Sequence, residues 1–284
     1  MPELPEVETT LKGIEPHIIN KRIEKVLIRQ PKLRWEVPSS QLKKYLPNES
    51  FSNASRRAKY LILKCKPGSL IIHLGMSGSL KVLSKLEKPK KHDHIDILFV
   101  DKTVLRFTDP RKFGSFHWTK NPENFYLLKN LGPEPLGNEF SAEYLFRYSR
   151  KRKVPIKNFI MNSHVIAGIG NIYACESLFL AGINPKRQAG LITFSEWKQL
   201  LSCIRSTLEN SIAAGGTTLR DFFEPSGKTG YYAVKLSVYG KENEPCPKCA
   251  TPISRLIHSG RSTFFCNTCQ SSTTKRKNQL LTLA

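Results

Sequence analysis

Four cysteines near the C-terminal end constrain the fold of this chain more than any other feature. Cys246 and Cys249 are separated by two residues, as are Cys266 and Cys269, and sixteen residues lie between the pairs. This spacing is typical of a structural zinc site, in which four thiolates close a tetrahedron around the ion and leave no position for water. The alternative is two unrelated or redox-active cysteine pairs. The spacing favours one structural Zn²⁺ on a β-hairpin, with Arg261 near the tip.

The charge balance indicates a polyanionic partner. The chain has 284 residues, with 45 Lys and Arg against 23 Asp and Glu, and a formal net charge of +22. Nucleic acid is the first candidate for such a basic protein, and an anionic membrane surface is the second. We find no apolar run of about 18 residues and expect no transmembrane helix. The acidic, proline-rich start is not a secretory signal, so we expect a cytoplasmic protein with reduced cysteines.

The apolar pattern divides the chain into a β-rich part and a helical part. Val7, Leu11, Ile14 and Ile18 share one helical face and predict a helix at the start. At least six short β-like segments follow between about residues 22 and 119, which favours a sandwich or barrel. Examples are Ile23–Arg29, Lys59–Cys65, Leu70–Leu74, Ile95–Val100, Val104–Thr108 and Phe113–Trp118. Later segments are helical in pattern, and Ser195–Ala213 is the clearest.

Two basic clusters and one glycine-rich segment fit contacts with phosphates. Each cluster alone is an ordinary solvated face, but with the net charge they favour salt-dependent binding to nucleic acid. Gly168 and Gly170 precede a helical run whose free N–H groups suit a phosphate, with Asn171 as N-cap or direct ligand. The clusters are Arg56, Arg57, Lys59, Lys64 and Lys66, and then Lys151, Arg152, Lys153 and Lys157.

Two predicted turns, 73–78 and 109–114, carry unusual side chains at their tips. These are Met76 in the first turn and Arg111 and Phe113 in the second. Taken alone, the residue types favour core packing for Met76 and Phe113. The alternative is a wedge that enters a base stack and fills the space of an extruded base.

These motifs together resemble the bacterial formamidopyrimidine-DNA glycosylase family over about residues 1–270. The resemblance rests on the start MPELPEVE, then RRAKY, HLGMSG, HDH, TDPRKFG, GIGNIYACESLF and the four-cysteine finger. It implies an α+β fold in two domains. The N-terminal β-sandwich has a leading helix, and the C-terminal helical domain contains a helix–two-turn–helix and a zinc β-hairpin. The implied limits are 1–131 for the catalytic sandwich, 132–236 for the helical domain, 237–270 for the zinc finger and 271–284 for a disordered basic tail.

The family resemblance implies a bifunctional DNA glycosylase and lyase in a bacterial cytoplasm, associated with the nucleoid through DNA. Its substrate would be duplex DNA containing 8-oxoguanine or formamidopyrimidines, and we expect a monomer without a membrane partner. After removal of Met1, the amine of Pro2 would attack the sugar C1′ and form an iminium, followed by β,δ-elimination. Two alternatives stay open. One is an endonuclease VIII-like enzyme for oxidised pyrimidines, and the other is a non-catalytic, zinc-dependent DNA-binding protein.

The resemblance also assigns residues to roles. Pro2 would be the nucleophile, Glu3 the acid that protonates the sugar ring oxygen, and Lys59 and Arg261 catalytic residues that also contact phosphates. Residues 217–231 resemble a loop that closes over the extruded base, although an ordinary surface loop is the alternative. The implied DNA-binding residues are Glu6, Met76, His92, Arg111, Phe113, Arg152, Lys153, Lys157 and Asn171.

Three features depart from the family pattern. Gly260 precedes Arg261 where glutamine is common, which makes the hairpin tip unusual. Lys112 stands where a second arginine is common. The chain also continues beyond Cys269, and we expect the added basic segment to contribute non-specific DNA affinity.

Overall fold

The computed structural model describes residues 2–215 and 236–271, which form two compact units. Of the described residues, the first unit holds 2–139, 162–170 and 208–215. The second holds 140–161, 171–207 and 236–271. The domain limits expected from the sequence stay a prediction. Within the described part of the chain, no helix is long and apolar enough to cross a membrane.

The first unit begins with helix α1, Leu4–Ile18. Val7, Ile14 and Ile18 are fully buried, as their spacing predicts. Pro5 lies in the first turn, where a missing N–H breaks no helical hydrogen bond. The predicted N-terminal helix is therefore confirmed, and its apolar face packs into the main core of this unit.

Two antiparallel four-stranded sheets form a β-sandwich in the first unit. The strand orders are β1-β6-β7-β5 and β2-β3-β4-β8, and apolar side chains of both sheets share one core with α1. The elements are β1 (Ile23–Ile28), α2 (Ser39–Tyr45), β2 (Asn53–Arg57), β3 (Tyr60–Cys65), β4 (Gly68–His73), β5 (Ser79–Leu83), β6 (Asp93–Phe99), β7 (Val104–Thr108) and β8 (Ser115–Thr119).

A buried ionic network joins strands β6 and β7 in the first sheet. Arg106 donates from Nε to Asp96 Oδ1 at 2.8 Å and from Nη1 to Asp93 Oδ2 at 3.2 Å. The Asp96 side chain is fully buried and that of Arg106 is 5 % exposed. Asp96 lies opposite Arg106 in the register, so their pairing offsets the cost of burying both charges.

The second unit is helical and ends in a β-hairpin. Its helices are α3 (Ala142–Ser149), α4 (Ile156–Ile160), α5 (Asn171–Leu180) and the part of α6 (Phe194–Ala213) that precedes residue 208. The hairpin consists of β9 (Ser254–His258) and β10 (Arg261–Phe265). Trp197, Leu200 and Ile204 of α6 are fully buried, as the predicted apolar face requires. The α+β prediction, with an N-terminal sandwich, C-terminal helices and a cysteine-bearing hairpin, is confirmed.

Candidate active site

The start of helix α1 brings two buried carboxylates next to Pro2. Glu3 is 1 % exposed and Glu6 is 3 % exposed, whereas Pro2 is partly exposed. The backbone N–H of Glu3 donates to Glu6 Oε2 at 2.9 Å. This bond satisfies one of the free donors at a helix N-terminus, where a carboxylate is also favoured by the helix dipole. Glu6 therefore fixes the backbone of the residue that follows Pro2.

The Glu3 carboxylate is held by a distant glycine of the same unit. Gly170 donates its backbone N–H to Glu3 Oε2 at 2.8 Å, and Leu4 donates to the carbonyl of Gly168 at 3.2 Å. A Cβ at Gly170 would lie 2.3 Å from Glu3 Cδ, so any larger residue there would displace the carboxylate. The sequence indicated a helix N-cap or a phosphate contact in this segment, and the phosphate contact stays a prediction. In this structure the N–H of Gly170 binds Glu3, a contact that the sequence did not indicate.

Lys59 lies in the two-residue turn between β2 and β3. Arg57 pairs with Tyr60 across this hairpin, and the turn residues are Ala58 and Lys59. Ala58 has φ +53°, a left-handed conformation that is uncommon for residues with a Cβ. Its N–H donates to Glu134 Oε1 at 2.6 Å. A carboxylate from a remote segment therefore holds the residue immediately before Lys59.

Arg56 and Arg57 are structural residues in this unit. Arg56 donates to Glu8 Oε2 at 2.8 Å and Glu134 Oε2 at 2.6 Å, and Arg57 donates to Glu134 Oε1 at 2.9 Å. Burial would raise the pKa of Glu134, but Arg56 and the hydrogen bonds to this carboxylate lower it overall. Both arginines therefore have partners within the unit, and a phosphate contact by either stays a prediction. Their positive charges are neutralised inside the unit, while Lys64 remains exposed.

His73 lies near Lys59, and the sequence did not indicate it as a candidate site residue. Its imidazole packs 4.7 Å from the ring of Tyr60, and Nδ1 accepts the N–H of Gly75 at 3.0 Å. Burial lowers the pKa of His73 to about 4, helped by the positive charges of Lys59 and Arg34. The ring is therefore neutral near pH 7. Its only sequence signal was its place at the start of the predicted turn 73–78.

The two predicted turns are connected through one buried carboxylate. Asp109 is fully buried, and it accepts from Ser77 Oγ at 2.6 Å and from the N–H of Gly114 at 2.8 Å. Met76 is 40 % exposed and Phe113 is 43 % exposed, so the core-packing interpretation is wrong for both. The buried aspartate thus holds a rigid pair of turns that presents apolar tips to solvent.

Cationic groups accompany these tips on the first unit. The exposed guanidinium of Arg111 lies 4.9 Å from the centre of the Phe113 ring, a cation–π distance. His92 is half-buried and lines a cavity of about 710 Å³ together with Lys81, Lys90 and Lys91. Glu87 and Asp93 line the same cavity, so its lining carries both signs of charge. The roles given to Arg111 and His92 stay predictions.

Arg261 begins strand β10 at an exposed position on the hairpin of the second unit. The two-residue turn before it consists of Ser259 and Gly260, with φ +48° and +71°. Two positive φ angles are typical of the tight hairpin turn that matches strand twist, and glycine adopts the second without strain. The unusual Gly260 therefore suits a short turn that exposes Arg261.

Lys157 and Asn171 support this hairpin from the helices. Lys157 Nζ donates to Thr263 Oγ1 at 2.7 Å and to Ser262 O at 3.1 Å, and Asn171 Nδ2 donates to Ser262 O at 2.8 Å. Lys157 is 1 % exposed. Its ammonium therefore holds the strand beside Arg261 in this structure, a role that the sequence did not indicate. Direct phosphate contacts by Lys157 and Asn171 stay predictions.

The remaining basic candidates of the second unit lie at the surface. Arg152 and Lys153 are exposed, and the Arg152 guanidinium lies 5.7 Å from the centre of the Tyr148 ring. The predicted loop 217–231 lies outside the described residues, as does the tail after residue 271.

The four cysteines of the C-terminal hairpin form a structural zinc site. Their sulfur atoms all lie within 4.8 Å of one another, and the pairs Cys246–Cys269 and Cys249–Cys266 are 3.8 and 3.5 Å apart. Tetrahedral bonds of about 2.3 Å require sulfur separations of roughly 3.8 Å, so the donor set fits one Zn²⁺. Four thiolates leave no open position, so the ion would supply stability without taking part in the chemistry.

Family profiles match the chain in three consecutive regions. The Formamidopyrimidine-DNA glycosylase N-terminal domain matches residues 1–116, and the Formamidopyrimidine-DNA glycosylase H2TH domain matches residues 131–223. The zinc finger found in FPG and IleRS matches residues 243–271. The matches agree with a β-rich start, a helical middle and a cysteine-bearing end.

Curated relatives and solved structures are similar over nearly the whole chain. Formamidopyrimidine-DNA glycosylase of Hydrogenovibrio crunogenus is 52 % identical, covering 95 % of this chain and 96 % of the relative. That of Pectobacterium carotovorum subsp. carotovorum is 50 % identical, covering 95 % and 100 %. A Lactococcus lactis FPG mutant in complex with a Fapy-dG containing DNA has a TM-score of 0.85 and 34 % identity, covering 95 % and 100 %. The wild-type L. lactis protein with an oxidized pyrimidine containing DNA has a TM-score of 0.84 and 33 % identity, with the same coverage.

Proposed function

The chain belongs to the formamidopyrimidine-DNA glycosylase family, and from this premise we propose that it excises oxidised purines from duplex DNA and then cleaves the strand. The observation that carries the proposal is the buried Glu3 carboxylate beside Pro2, anchored by Gly170. A secondary amine next to an oriented acid is the arrangement that Schiff-base chemistry on a sugar requires. Substrates would include 8-oxoguanine and formamidopyrimidines, as the family name and the Fapy-dG complex of the L. lactis relative suggest.

In the proposed first stage, Pro2 acts as the nucleophile. Removal of Met1 frees its nitrogen, whose lone pair forms a bond to C1′ as the damaged base leaves with the electrons of the glycosidic bond. The proton that the nitrogen then loses neutralises the departing base. Glu3 donates a proton to the ring oxygen, and the C1′–O4′ bond breaks to leave an iminium. Glu6 supports this step by fixing the backbone N–H of Glu3 at 2.9 Å.

In the proposed second stage, the iminium acidifies the C2′ proton. Loss of this proton expels the 3′ phosphate, and a second elimination expels the 5′ phosphate before water releases the sugar fragment. Lys59 and Arg261 would contact phosphates at the lesion, where charge-assisted hydrogen bonds stabilise the leaving groups. Lys59 would also supply a proton.

The other candidate residues would hold the duplex. Met76, Arg111 and Phe113 would fill the space left by the extruded base, which their exposed positions allow. The residues proposed to contact the backbone are His92, Arg152, Lys153, Lys157 and Asn171. A net charge of +22 supports binding that weakens steeply with salt.

The larger-scale assignments are proposals as well. The N-terminal catalytic domain would span 1–131, the helical DNA-binding domain 132–236 and the zinc finger 237–270. We propose a monomer in the cytoplasm of a bacterium, associated with the nucleoid through DNA, and an added basic tail at 271–284.

Borohydride trapping tests the proposed chemistry. Protein with Met1 removed is incubated with an 8-oxoguanine duplex and reduced, and peptide mapping should locate the covalent adduct on Pro2. The Pro2→Gly variant should yield far less adduct and lose strand cleavage. Tight binding without adduct or cleavage by the processed protein would overturn the enzyme and favour a non-catalytic, zinc-dependent DNA-binding protein.

A second substrate class is oxidised pyrimidines. It is favoured by the L. lactis relative, which forms a complex with an oxidized pyrimidine containing DNA. Single-turnover rates on matched duplexes with 8-oxoguanine, a formamidopyrimidine and an oxidised pyrimidine compare the two proposals. Faster release of the pyrimidine would favour the endonuclease VIII-like alternative over the purine proposal.

A further inference from the structure

We infer that Glu134 is a positioning residue for Lys59, acting through the turn that carries this lysine. The inference rests on the proposed function, because it concerns the step in which Lys59 takes part. Glu134 lies 75 positions after Lys59 and belongs to the same compact unit. Its carboxylate accepts a hydrogen bond from the backbone N–H of Ala58, the residue before Lys59 in the β2–β3 hairpin.

The backbone of Ala58 is held from both sides. Its N–H donates to Glu134 Oε1 at 2.6 Å, and its carbonyl accepts from Arg56 Nη1 at 2.9 Å. The same Arg56 nitrogen donates to Glu134 Oε2 at 2.6 Å. One carboxylate and one guanidinium therefore enclose the peptide groups on either side of Ala58, and the second of these groups is the amide of Lys59.

This support falls at a turn whose backbone conformation is unfavourable for its first residue. Two-residue hairpin turns with positive φ at the first position favour glycine, but Ala58 occupies that position with φ +53°. An alanine prefers negative φ because of its Cβ, so the observed conformation costs about 1–2 kcal/mol that nearby contacts can offset. The contacts of Glu134 and Arg56 provide that stabilisation, and they set the direction in which the chain enters Lys59.

The hydrogen bonds of Arg57 hold Glu134 in place. Arg57 Nη1 donates to Glu134 Oε1 at 2.9 Å, and its Nη2 donates to the carbonyls of Leu131 and Gly132 at 2.8 and 2.7 Å. Glu134 is thus fixed through its side chain and through the segment before it. A charged carboxylate that accepts hydrogen bonds from Arg56, Arg57 and Ala58 cannot leave the turn without leaving charged donors unpaired.

Replacing Glu134 by glutamine tests this positioning. Glu134→Gln keeps the side-chain volume and one acceptor, but it cannot pair with both arginines and Ala58 at once. We expect the single-turnover rate of 8-oxoguanine release to fall about 10- to 100-fold, because small displacements of a reacting group have effects of this size. The exposed Glu139 is the matched control, and Glu139→Gln, which removes the same charge, should keep the wild-type rate.

The Lys59→Ala background separates positioning from general structural damage. If Glu134 acts through Lys59, Glu134→Gln should add less than a threefold loss when Lys59 is already absent. The same 10- to 100-fold loss in both backgrounds would overturn the inference. Lys59→Ala without any loss would overturn the role of Lys59 in the proposed function, and the inference with it.

A second pair of variants covers the case in which Glu134→Gln does not fold. Ala58→Val disfavours positive φ and should reproduce the loss and its dependence on Lys59, whereas Ala58→Gly suits that φ and should keep at least half of the rate. Thermal unfolding curves show which variants are folded. Equal rates for the folded valine and glycine variants would overturn the inference.

Discussion

The carboxylate of Glu3 accepts a hydrogen bond of 2.8 Å from the backbone of Gly170, 167 positions later in the chain. The contact orients the Glu3 carboxylate through a backbone donor. Because a backbone N–H has a fixed direction, it orients the carboxylate more tightly than a long side chain could. The chemistry proposed at the N-terminus therefore depends on a loop that has no reactive group of its own.

Gly170→Ala should separate base release from strand cleavage. The new Cβ would lie 2.3 Å from Cδ and 2.4 Å from Oε1 of Glu3, so the carboxylate must move. Loss of an oriented acid costs about 10²- to 10⁴-fold, and we expect this loss for release of 8-oxoguanine. Cleavage of a preformed abasic site should suffer less, because its open-chain aldehyde needs no protonation of the ring oxygen. Equal losses on both substrates would contradict this role for Glu3.

Cys249→Ala should remove the zinc ion. A tetrahedral site with three thiolates loses its closed geometry, and structural zinc contributes about 10–16 kcal/mol of apparent binding free energy to such small folds. Zinc content measured by atomic emission should fall from one ion per chain to a small fraction, and duplex affinity should fall with it. Cys203→Ala, outside the cluster and half-buried, is the control. Stoichiometric zinc in the Cys249 variant would refute the four-cysteine site.

Arg106→Met should destabilise the sandwich strongly. Asp96 is fully buried and would still pair with Arg29, but the buried Asp93 would lose its guanidinium partner, so we expect a cost of about 3 kcal/mol in the free energy of unfolding. Lys21→Met breaks the more exposed pair with Asp101 and should cost less than about 1 kcal/mol. Urea unfolding curves give both values. Similar losses for the two variants would show that burial does not set the strength of the Arg106 pair.

His73 should make the protein less stable as the pH falls below neutrality. Its folded-state pKa of about 4 lies below the ordinary value of about 6.5, so only the unfolded chain takes up this proton in between. The destabilisation caused by His73 is absent above about pH 6.5 and grows as the pH falls. It lowers the free energy of unfolding by about 2 kcal/mol at pH 5. His73→Gln should flatten the pH dependence of urea unfolding by that amount. The exposed His164 provides the control substitution, and an unchanged slope in His73→Gln would contradict the assignment.

Local patterns in the sequence predicted most of the elements and the zinc ligands. The spacing of Val7, Leu11 and Ile14 was enough for helix α1, because a helical face repeats every three to four residues. The cysteine spacing likewise predicts a tetrahedral zinc site without any other information. Strands β2 and β5 were missed, since Asn53–Arg57 is mostly polar and Ser79–Leu83 is short and only partly buried.

The supporting contacts of the candidate site could not be predicted in the same way. Neither the bond from Gly170 to Glu3 nor that from Ala58 to Glu134 has a local signature, because each joins residues brought together only by tertiary packing. Burial also changed interpretations that charge alone had suggested. Arg57 and Lys157 look like surface cations in the sequence, but their charged groups bind atoms of their own units.

The interleaving of segments in the first unit has a consequence for how the protein is made. A nascent chain that has emerged from the ribosome as far as residue 131 already contains every strand of both sheets. It still lacks Glu134 and Gly170, the partners that hold Ala58 and Glu3. The sandwich can therefore collapse early in translation, while the backbone around Glu3 acquires its contacts only after residue 170 has left the exit tunnel. Expression of the first 131 residues alone would give a scaffold without the contacts that hold Glu3 and Ala58.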